Sequence, residues 1–492
     1  MPQISFTGVY TPHDRKIFDA GDEERKNRHT LISLYWQYYE GNHRKFLKTT
    51  PGTYDDNTVI NLCSQAVDRM SSFMFPTVPR LKYSTKKAQK QVDTIWVEQE
   101  YIPTLLTDCS ISGLVGGHVY MRIDASNPQE PKYVNLDPRL VTSFWDITNP
   151  QETLWYRMTW ADANADNPQY HGEIFYIEDY VRSIYDPNAV EDDGWQIITY
   201  RWDPNLQNNM IMTEVDREYW PYDFAPIVDW KAQPKPFAKY GPSLLKHLHV
   251  NDVANFLFSN TNRILRFHAH PKTIILGASK EELQQTAIDQ VWAIPVTGAQ
   301  VFNLEMQSEL NASMMMFEQA KSSFFSQTHV VDTAAHKDKI GQITNFGLHV
   351  LFSDMLDHTD VVRQLYGVGI QELIYRSMYI MGNKTAGHPE IIWPDPLPVN
   401  RTELVNSVKV EQSIGSTSPQ TLAETLDRDY ESEQDRLKQA KKAGVLNLAE
   451  DGIHEIDDLP VQKAGAAPAG NSGEDTEEMD ADGRLQRSIE SI

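Results

Sequence analysis

Apolar positions near the start of the chain recur at helical spacing. Within 14–49, Leu31, Leu34, Tyr35, Tyr38 and Tyr39 share one face among charged neighbours, and Gly41 marks a stop. A second helix is predicted to begin near Thr58 and to carry Val59, Ile60, Cys63, Val67, Met70 and Phe73, with Pro76 and Pro79 breaking it. A third is predicted over 85–112, with Val92, Ile95, Trp96 and Leu105.

From about 116 the period changes from 3.6 to two. HVYMRID, KYVNL, LWYRMTW, HGEIFYIE, VRSIYD, WQIITYRW and MIMTEVD are short runs rich in Val, Ile, Tyr, Thr and Trp, separated by Asn, Asp, Pro and Gly. They predict antiparallel strands joined by turns.

Helical patterning returns after Gly241–Pro242–Ser243, where Ser243 is placed as a cap. The stretch 243–268 has no Gly or Pro and carries Leu244, Leu248, Phe256, Leu257, Ile264 and Phe267 as an apolar stripe; at 1.5 Å per residue it would span about 39 Å. Pro271 ends it. Residues 271–307 form a mixed island of a strand (KTIIL), a short helix (SKEELQQTAI) and two strands (QVWAIP, QVFNLEM). Helix is expected again over 308–328, then the unpatterned VVDTAAHKDKIG, then a long helix over 342–381. An extended piece with three prolines, EIIWPDPLPVN, precedes two amphipathic segments at 401–414 and 418–443, the second ending at Gly444. The fold class expected from this order is α+β.

Composition narrows the function. The chain has 492 residues, about three domains' worth, with 40% hydrophobic residues and 11 Trp. Its 45 basic and 68 acidic residues give a net charge of −23, which excludes coating of nucleic acid by overall basic charge but not handling at a local site. The acid is unevenly spread. Segment 101–242 holds 10 basic and 21 acidic residues, whereas 243–343 holds 8 and 9, with six of the 15 histidines. From 451 onward there are 3 basic and 11 acidic residues amid Ala, Gly, Pro and Ser, the composition of a disordered tail. Two cysteines, Cys63 and Cys109, cannot build a disulfide framework and point to a reducing compartment, as buried apolar groups. The first residues lack a basic start followed by an apolar run, so no signal peptide is expected, and no apolar window is long enough to cross a membrane.

Catalytic signatures are missing: no GxxxxGK[ST], HExxH, CxxC or GxSxG. His247 with His249, and His268 with His270, are pairs two residues apart. On a helix such a pair diverges by about 200°, which argues against one shared metal ion. The acids of 173–193, including Asp192 and Asp193, could be paired carboxylates of a glycoside hydrolase, but turns between strands favour Asp for backbone reasons. Asn311, Asn383 and Asn400 match the glycosylation sequon incidentally. Met314–Met315–Met316 with Phe317, Phe324 and Phe325 suits helix-packing core or, by preference, a subunit interface. Lys337 and Lys339 are ordinary loop lysines in a monomer and a belt of positive charge in a ring.

Several segments, in order over about 30–445, resemble the portal protein of tailed double-stranded DNA bacteriophages. YYEGNHRKFL (38–47) and NTVINLCSQAVDRMSSFMF (57–75) are similar to the family's early tyrosine–glycine element and the helix after it. APIVDWKAQPKPFAKYGPSLLKHLHVNDVANFLFSNTNRI (225–264) is the most specific. In it a strand ending in Trp230 leads to Gly241–Pro242–Ser243 and a helix with Asn251, Asp252 and Asn255. GLHVLFSDMLDHTDVVRQLYGVGIQELI (347–374) and IIWPDPLPVNRTELVNSVKVEQSIGSTSPQTLAETL (391–426) resemble the long helix after the tunnel loop and the passage from wing to crown. This chain has Phe346–Gly347 where many relatives have Ser-Gly.

The resemblance implies a ring, usually of twelve subunits, at one capsid vertex of the virion, assembled in the host bacterial cytoplasm. DNA would enter through it during packaging and leave through it at ejection. Its partners would be double-stranded DNA, the terminase large subunit, the major capsid and scaffolding proteins and the head–tail connector, with no membrane and no cofactor. The ATPase belongs to the terminase, so the missing phosphate loop fits a non-enzyme. By carry-over the wing is 1–242, stem helix 1 is 243–270, the clip 271–307, stem helix 2 308–328 and the tunnel loop 329–341. The long helix and return to the wing would be 342–404, the crown 405–447 and the acidic tail 448–492. A sliding duplex needs a few cationic points rather than many phosphate locks. His336, Lys337 and Lys339 are the expected DNA-facing residues, alternating with Asp332 and Asp338, and Lys280, Glu281 and Glu282 the expected terminase- and connector-facing ones. The competing readings are a carbohydrate-active hydrolase on the acidic strand region and a non-viral ring scaffold.

Overall fold

The computed structural model describes residues 12–49, 55–145, 152–162, 174–186, 193–202, 213–269, 272–276, 300–304, 310–333, 345–397, 401–426 and 430–442, with single positions at 149, 189 and 428. Two compact units appear, divided between Asn400 and Arg401.

The first unit opens with α1 (Pro12–Tyr39). Its buried stripe is Ile32, Tyr35 and Tyr38, while Leu31 and Leu34 point outward at 47% and 39% exposure, so the predicted face is rotated by one residue. Gly41, at φ +90°, turns the chain out of the helix. Helix α2 (Leu62–Met74) starts four residues later than the apolar run implied. Asn61 supplies the cap, its side chain accepting from Ser64 N, and the preceding residues stay extended. The third predicted helix is two: α3 (Lys86–Val92), prolonged by a π-turn, and α4 (Ile102–Gly116), with Pro103 in its first turn.

Helix α4 delivers the chain into a three-stranded antiparallel sheet ordered β3 (Lys132–Leu136), β2 (His118–Asp124), β9 (Ile227–Lys231). Between β3 and β9 runs a five-stranded antiparallel meander: β4 (Val141–Trp145), β5 (Thr153–Asp162), β6 (Ile174–Arg182), β7 (Trp195–Trp202) and β8 (Thr213–Trp220). The runs HGEIFYIE and VRSIYD are not two strands. They give β6 and a single 3-10 turn, Ser183–Tyr185. A short pair, β1 (Arg80–Lys82) with β12 (Glu390–Ile392), ties early chain to late chain.

Helix α5 (Leu248–Ala269) leads to β10 (Lys272–Leu276), which pairs antiparallel with β11 (Gln300–Leu304); α6 (Leu310–Gln327) follows. Phe258 and Phe317, nearly equidistant in sequence from the paired Lys272 and Leu304, meet at 5.3 Å between ring centroids. This is the register of a hairpin continued through its helices. Ser243 is not the cap of α5. The chain first makes turns over 244–247, while Ser243 Oγ donates to Leu114 O and accepts from Leu245 N.

The long helix α7 (Asn345–Ile380) runs through the core of this unit. Tyr366 sits edge-on to Trp230, and a side chain at Gly369 would collide with the Trp230 ring, its Cβ 2.3 Å away. Cys63 and Cys109 are free and buried in the same core. The second unit contains α8 (Arg401–Ile414), α9 (Pro419–Thr425) and α10 (Tyr430–Lys442), with Val408 and Leu422 buried. The chain is an α+β protein.

Candidate functional site

The helix pair α5/α6 and the segment that follows α6 carry the most specific sequence expectations. Their geometry begins with an anchor that hydropathy did not reveal. On α5, Asn251, Asn255 and Ser259 lie one turn apart on a buried face. Asn251 Oδ1 accepts from Leu62 N at 3.2 Å, Asn255 Oδ1 from Ile60 N at 2.8 Å and Ser259 Oγ from Thr58 N at 2.9 Å. Four helical residues rise about 6.0 Å and two extended residues about 6.6 Å, so every fourth side chain meets every second amide. The expected apolar stripe is therefore wrong in part. Phe256 is 42% exposed, and the buried face is largely polar because it pairs with backbone.

His43 locks the ladder. Its Nε2 donates to Tyr38 O at 2.9 Å, and its Nδ1 accepts from Asn251 Nδ2 at 2.7 Å and Asn255 Nδ2 at 3.1 Å. Those partners require the neutral ring, and burial pushes its pKa below the usual histidine value. One turn further on, buried Asp56 receives Arg263 Nε at 3.1 Å and Arg266 Nη2 at 2.6 Å. Helix α5 is thus fixed by hydrogen bonds and charge from Asn251 to Arg266, and Tyr38 OH adds a bond to Asp252 at 2.8 Å.

The far end of α6 is fixed as well. Phe324 and Phe325 are core residues, Thr328 Oγ1 donates to Phe324 O, and His329 takes the left-handed conformation at φ +55°. Asp332 holds Lys321 Nζ at 2.8 Å and lies 3.5 Å from Arg69 Nη1, which also donates to Val331 O at 3.2 Å. His329 Nδ1 lies 3.1 Å from Asp354 and its ring stacks on His358 at 4.6 Å. Burial, then the neighbouring His329, bring the His358 pKa down to about 4. Asp332 is accordingly part of a clamp just after α6, tied to α2 and α6, rather than a free partner for Lys337 and Lys339.

The predicted DNA-facing residues His336, Lys337 and Lys339, with Asp338, lie outside the described residues, as do Lys280, Glu281 and Glu282. Met314, Met315 and Met316 separate from the phenylalanines with which they were grouped. They are 58%, 73% and 58% exposed on α6, which rules out the core alternative within one subunit. His247 and His249 do not diverge as a helical pair would. His247 lies in the turn before α5, and the rings meet edge-on at 6.1 Å.

The acids expected in solvated turns are in part strand residues. Asp179 is fully buried in β6 and takes a bidentate grip from Arg157 at 2.7 and 2.6 Å. Glu178 is bonded to Tyr180 OH and faces Arg122. A second buried cluster centres on Asp229 of β9, which receives Lys239 Nζ at 2.7 Å, His118 Nε2 at 2.8 Å and Tyr156 OH at 2.6 Å. Burial alone would raise the Asp229 pKa, but Lys239 and His118 hold it well below the carboxylate range. These groups join β2, β5, β9 and the 232–242 connection; they are structural ties with every oxygen engaged.

No family model matches the chain, and no curated protein matches it. Solved structures with similar chains include the neck of a native gene transfer agent (GTA) particle computed with C12 symmetry, at 12% identity and a TM-score of 0.40, over 74% of this chain and 89% of that one. The neck of the empty particle computed with C6 symmetry gives 11% identity and 0.43, over 77% and 95%. The virion of the native particle gives 11% and 0.35, over 74% and 99%.

Proposed function

We propose that this chain is the subunit of a phage portal: a ring at one capsid vertex that conducts duplex DNA, docks the terminase during packaging and the head–tail connector afterwards, and serves as the exit at ejection. The observation that carries the reading is the α5–β10–β11–α6 hairpin. It is pinned to an α+β body along α5, from Asn251 to Arg266, and at the end of α6, and runs on into a clamped segment from which residues 334–344 lead to a helix of 36 residues. A two-helix stem needs that rigidity, and a loop that touches a moving duplex needs a fixed base. In this reading α5 and α6 are the stem, 271–307 the clip and 329–341 the tunnel loop, with His336, Lys337 and Lys339 facing DNA and Lys280, Glu281 and Glu282 facing the terminase. The exposed Met314–Met316 run then lies between neighbouring subunits.

The test is particle counting on the purified full chain by native mass spectrometry and electron microscopy. A closed ring near twelve copies with a bore wide enough for a duplex is expected. A compact monomer defeats the proposal, and a closed ring too narrow for DNA leaves only the scaffold reading.

A further inference from the structure

The connection from β9 to α5 carries a feature that the ring reading does not itself explain. Phe237 is 103% exposed and stands at φ +57°, in the left-handed region that a bulky side chain avoids. It lies in Lys235–Pro236–Phe237–Ala238–Lys239, with Pro234 before it and no acid between Lys231 and Lys239. The tip is not loose. Lys231 Nζ donates to Lys235 O at 3.0 Å, and Lys239 is buried on Asp229. A strained backbone that holds a whole aromatic ring in water, braced on both sides, costs stability in the isolated chain and suits a preformed anchor.

The same contacts say where the tip sits. Lys239 Nζ reaches Thr153 Oγ1 at 2.8 Å, at the start of β5, and Tyr240 OH bonds Ser143 on β4. The tip is therefore carried at the β4 edge of the five-stranded sheet. The other edge is β8, four strand spacings and about 19 Å away. There Val215 is 57% exposed beside Asp216, with Glu218 beyond; Arg217 pairs with Glu214 at 2.8 Å and also ties in the turn bearing Ile184, which is 69% exposed. One edge presents an aromatic knob with lysines; the other presents apolar side chains rimmed by acids. Unlike patches at opposite ends of one rigid sheet are what a head-to-tail ring contact requires.

We infer that Phe237 of one subunit docks on the β8 edge of the next copy, against Ile184 and Val215, with Lys235 facing Asp216 and Glu218. This rests on the ring reading and adds the contact that closes the ring at the level of the sheet. The experiment uses the full-length chain with a photo-crosslinking amino acid at position 237, beside Phe237→Gly, Lys235→Glu and the double variant Lys235→Glu with Glu218→Lys. The crosslink is expected to join two chains and to map to 184 or 213–220. Phe237→Gly removes both the anchor and the backbone strain. The concentration needed for ring assembly should rise at least tenfold while the melting temperature of the dissociated subunit stays level or rises, opposite signs that a folding defect cannot mimic. Lys235→Glu should weaken assembly, and Glu218→Lys should restore it. If the unsubstituted chain forms no ring, the ring reading falls and takes this contact with it. If rings form but the crosslink maps elsewhere, or Phe237→Gly rings assemble as tightly, the contact alone is wrong.

Discussion

At the scale of single residues, the molecule is organised by polar side chains that hydropathy passes over. The apolar count on α5 predicted a greasy face, yet Asn251, Asn255 and Ser259 are what it buries. Three small polar residues at i, i+4 and i+8 were the legible signal; their role depends on a backbone segment some 190 residues earlier, which no local pattern contains. Asn255→Ala would leave the buried Ile60 amide without its acceptor, while His43 Nδ1 keeps Asn251, so unfolding in urea should register a loss of about 1–3 kcal/mol. Val253→Ser, at a position 47% exposed on the same helix, should change little. A loss no larger than that of Val253→Ser would mean that the ladder is not holding the helix. His43 also sets a pH dependence. A protonated ring would aim an N–H at two amide donors, so the folded chain resists protonation and the folded pKa lies below the unfolded value near 6.5. The unfolded chain then binds more protons, and stability, complete above about pH 6.5, falls as pH drops through the depressed value. His29 and His358, each brought by burial to about 4, act with the same sign. Denaturation midpoints from pH 7.5 to 4.5 should decline, and His43→Gln should flatten part of that decline; an unchanged slope would remove His43 from the account.

Elements were legible where one period ran unbroken and blurred where tertiary partners set the ends. The strands β2, β3, β5 and β7 coincide with the alternating runs, whereas β4 lacks a clear alternation and was not predicted. Helix α2 begins late because the apolar residues before it lie along α5 in extended form, and α5 begins late because Ser243 is spent on Leu114. The segment after α6 shows the same limit. Periodicity ended near 328, but the clamp of Asp332 between Lys321 and Arg69 joins α2 and α6 across distant sequence. Asp332→Ala should release that segment without unfolding the core. Limited proteolysis should cut near 328–344 sooner than in the parent chain, while the melting temperature falls by only about 1 °C, the shift for roughly 1 kcal/mol in a unit of this size. Proteolysis at the parent rate would show that the helix ends hold the segment without the ion pairs.

Over the whole molecule, charge is partitioned rather than averaged. The strand-rich stretch 101–242 carries an excess of eleven acids and the stretch from 451 onward an excess of eight, while 243–343 is within one charge of neutral. In the proposed conduit this partition would repel DNA from the bulk and offer few phosphate contacts along the path, so its cations would matter through number of copies rather than strength. Lys337 and Lys339, repeated around a ring, are the concentrated positive charge of the proposed loop, and each phosphate contact they make should contribute about 0.9 to the slope of log affinity against log salt. Rings of Lys337→Ala with Lys339→Ala should therefore bind duplex with a shallower salt dependence and should package or retain DNA less well, with assembly and melting unchanged. The proposed clip is separable from this. Charge reversal at Lys280, Glu281 and Glu282 should abolish terminase docking and leave both ring formation and the salt slope of DNA binding intact. If the double-alanine rings packaged at the parent rate and kept their DNA, the loop lysines would have no part in conduction. If the clip variant still docked the terminase, 271–307 would not be the docking end, and the hairpin would need another role at the far end of its helices.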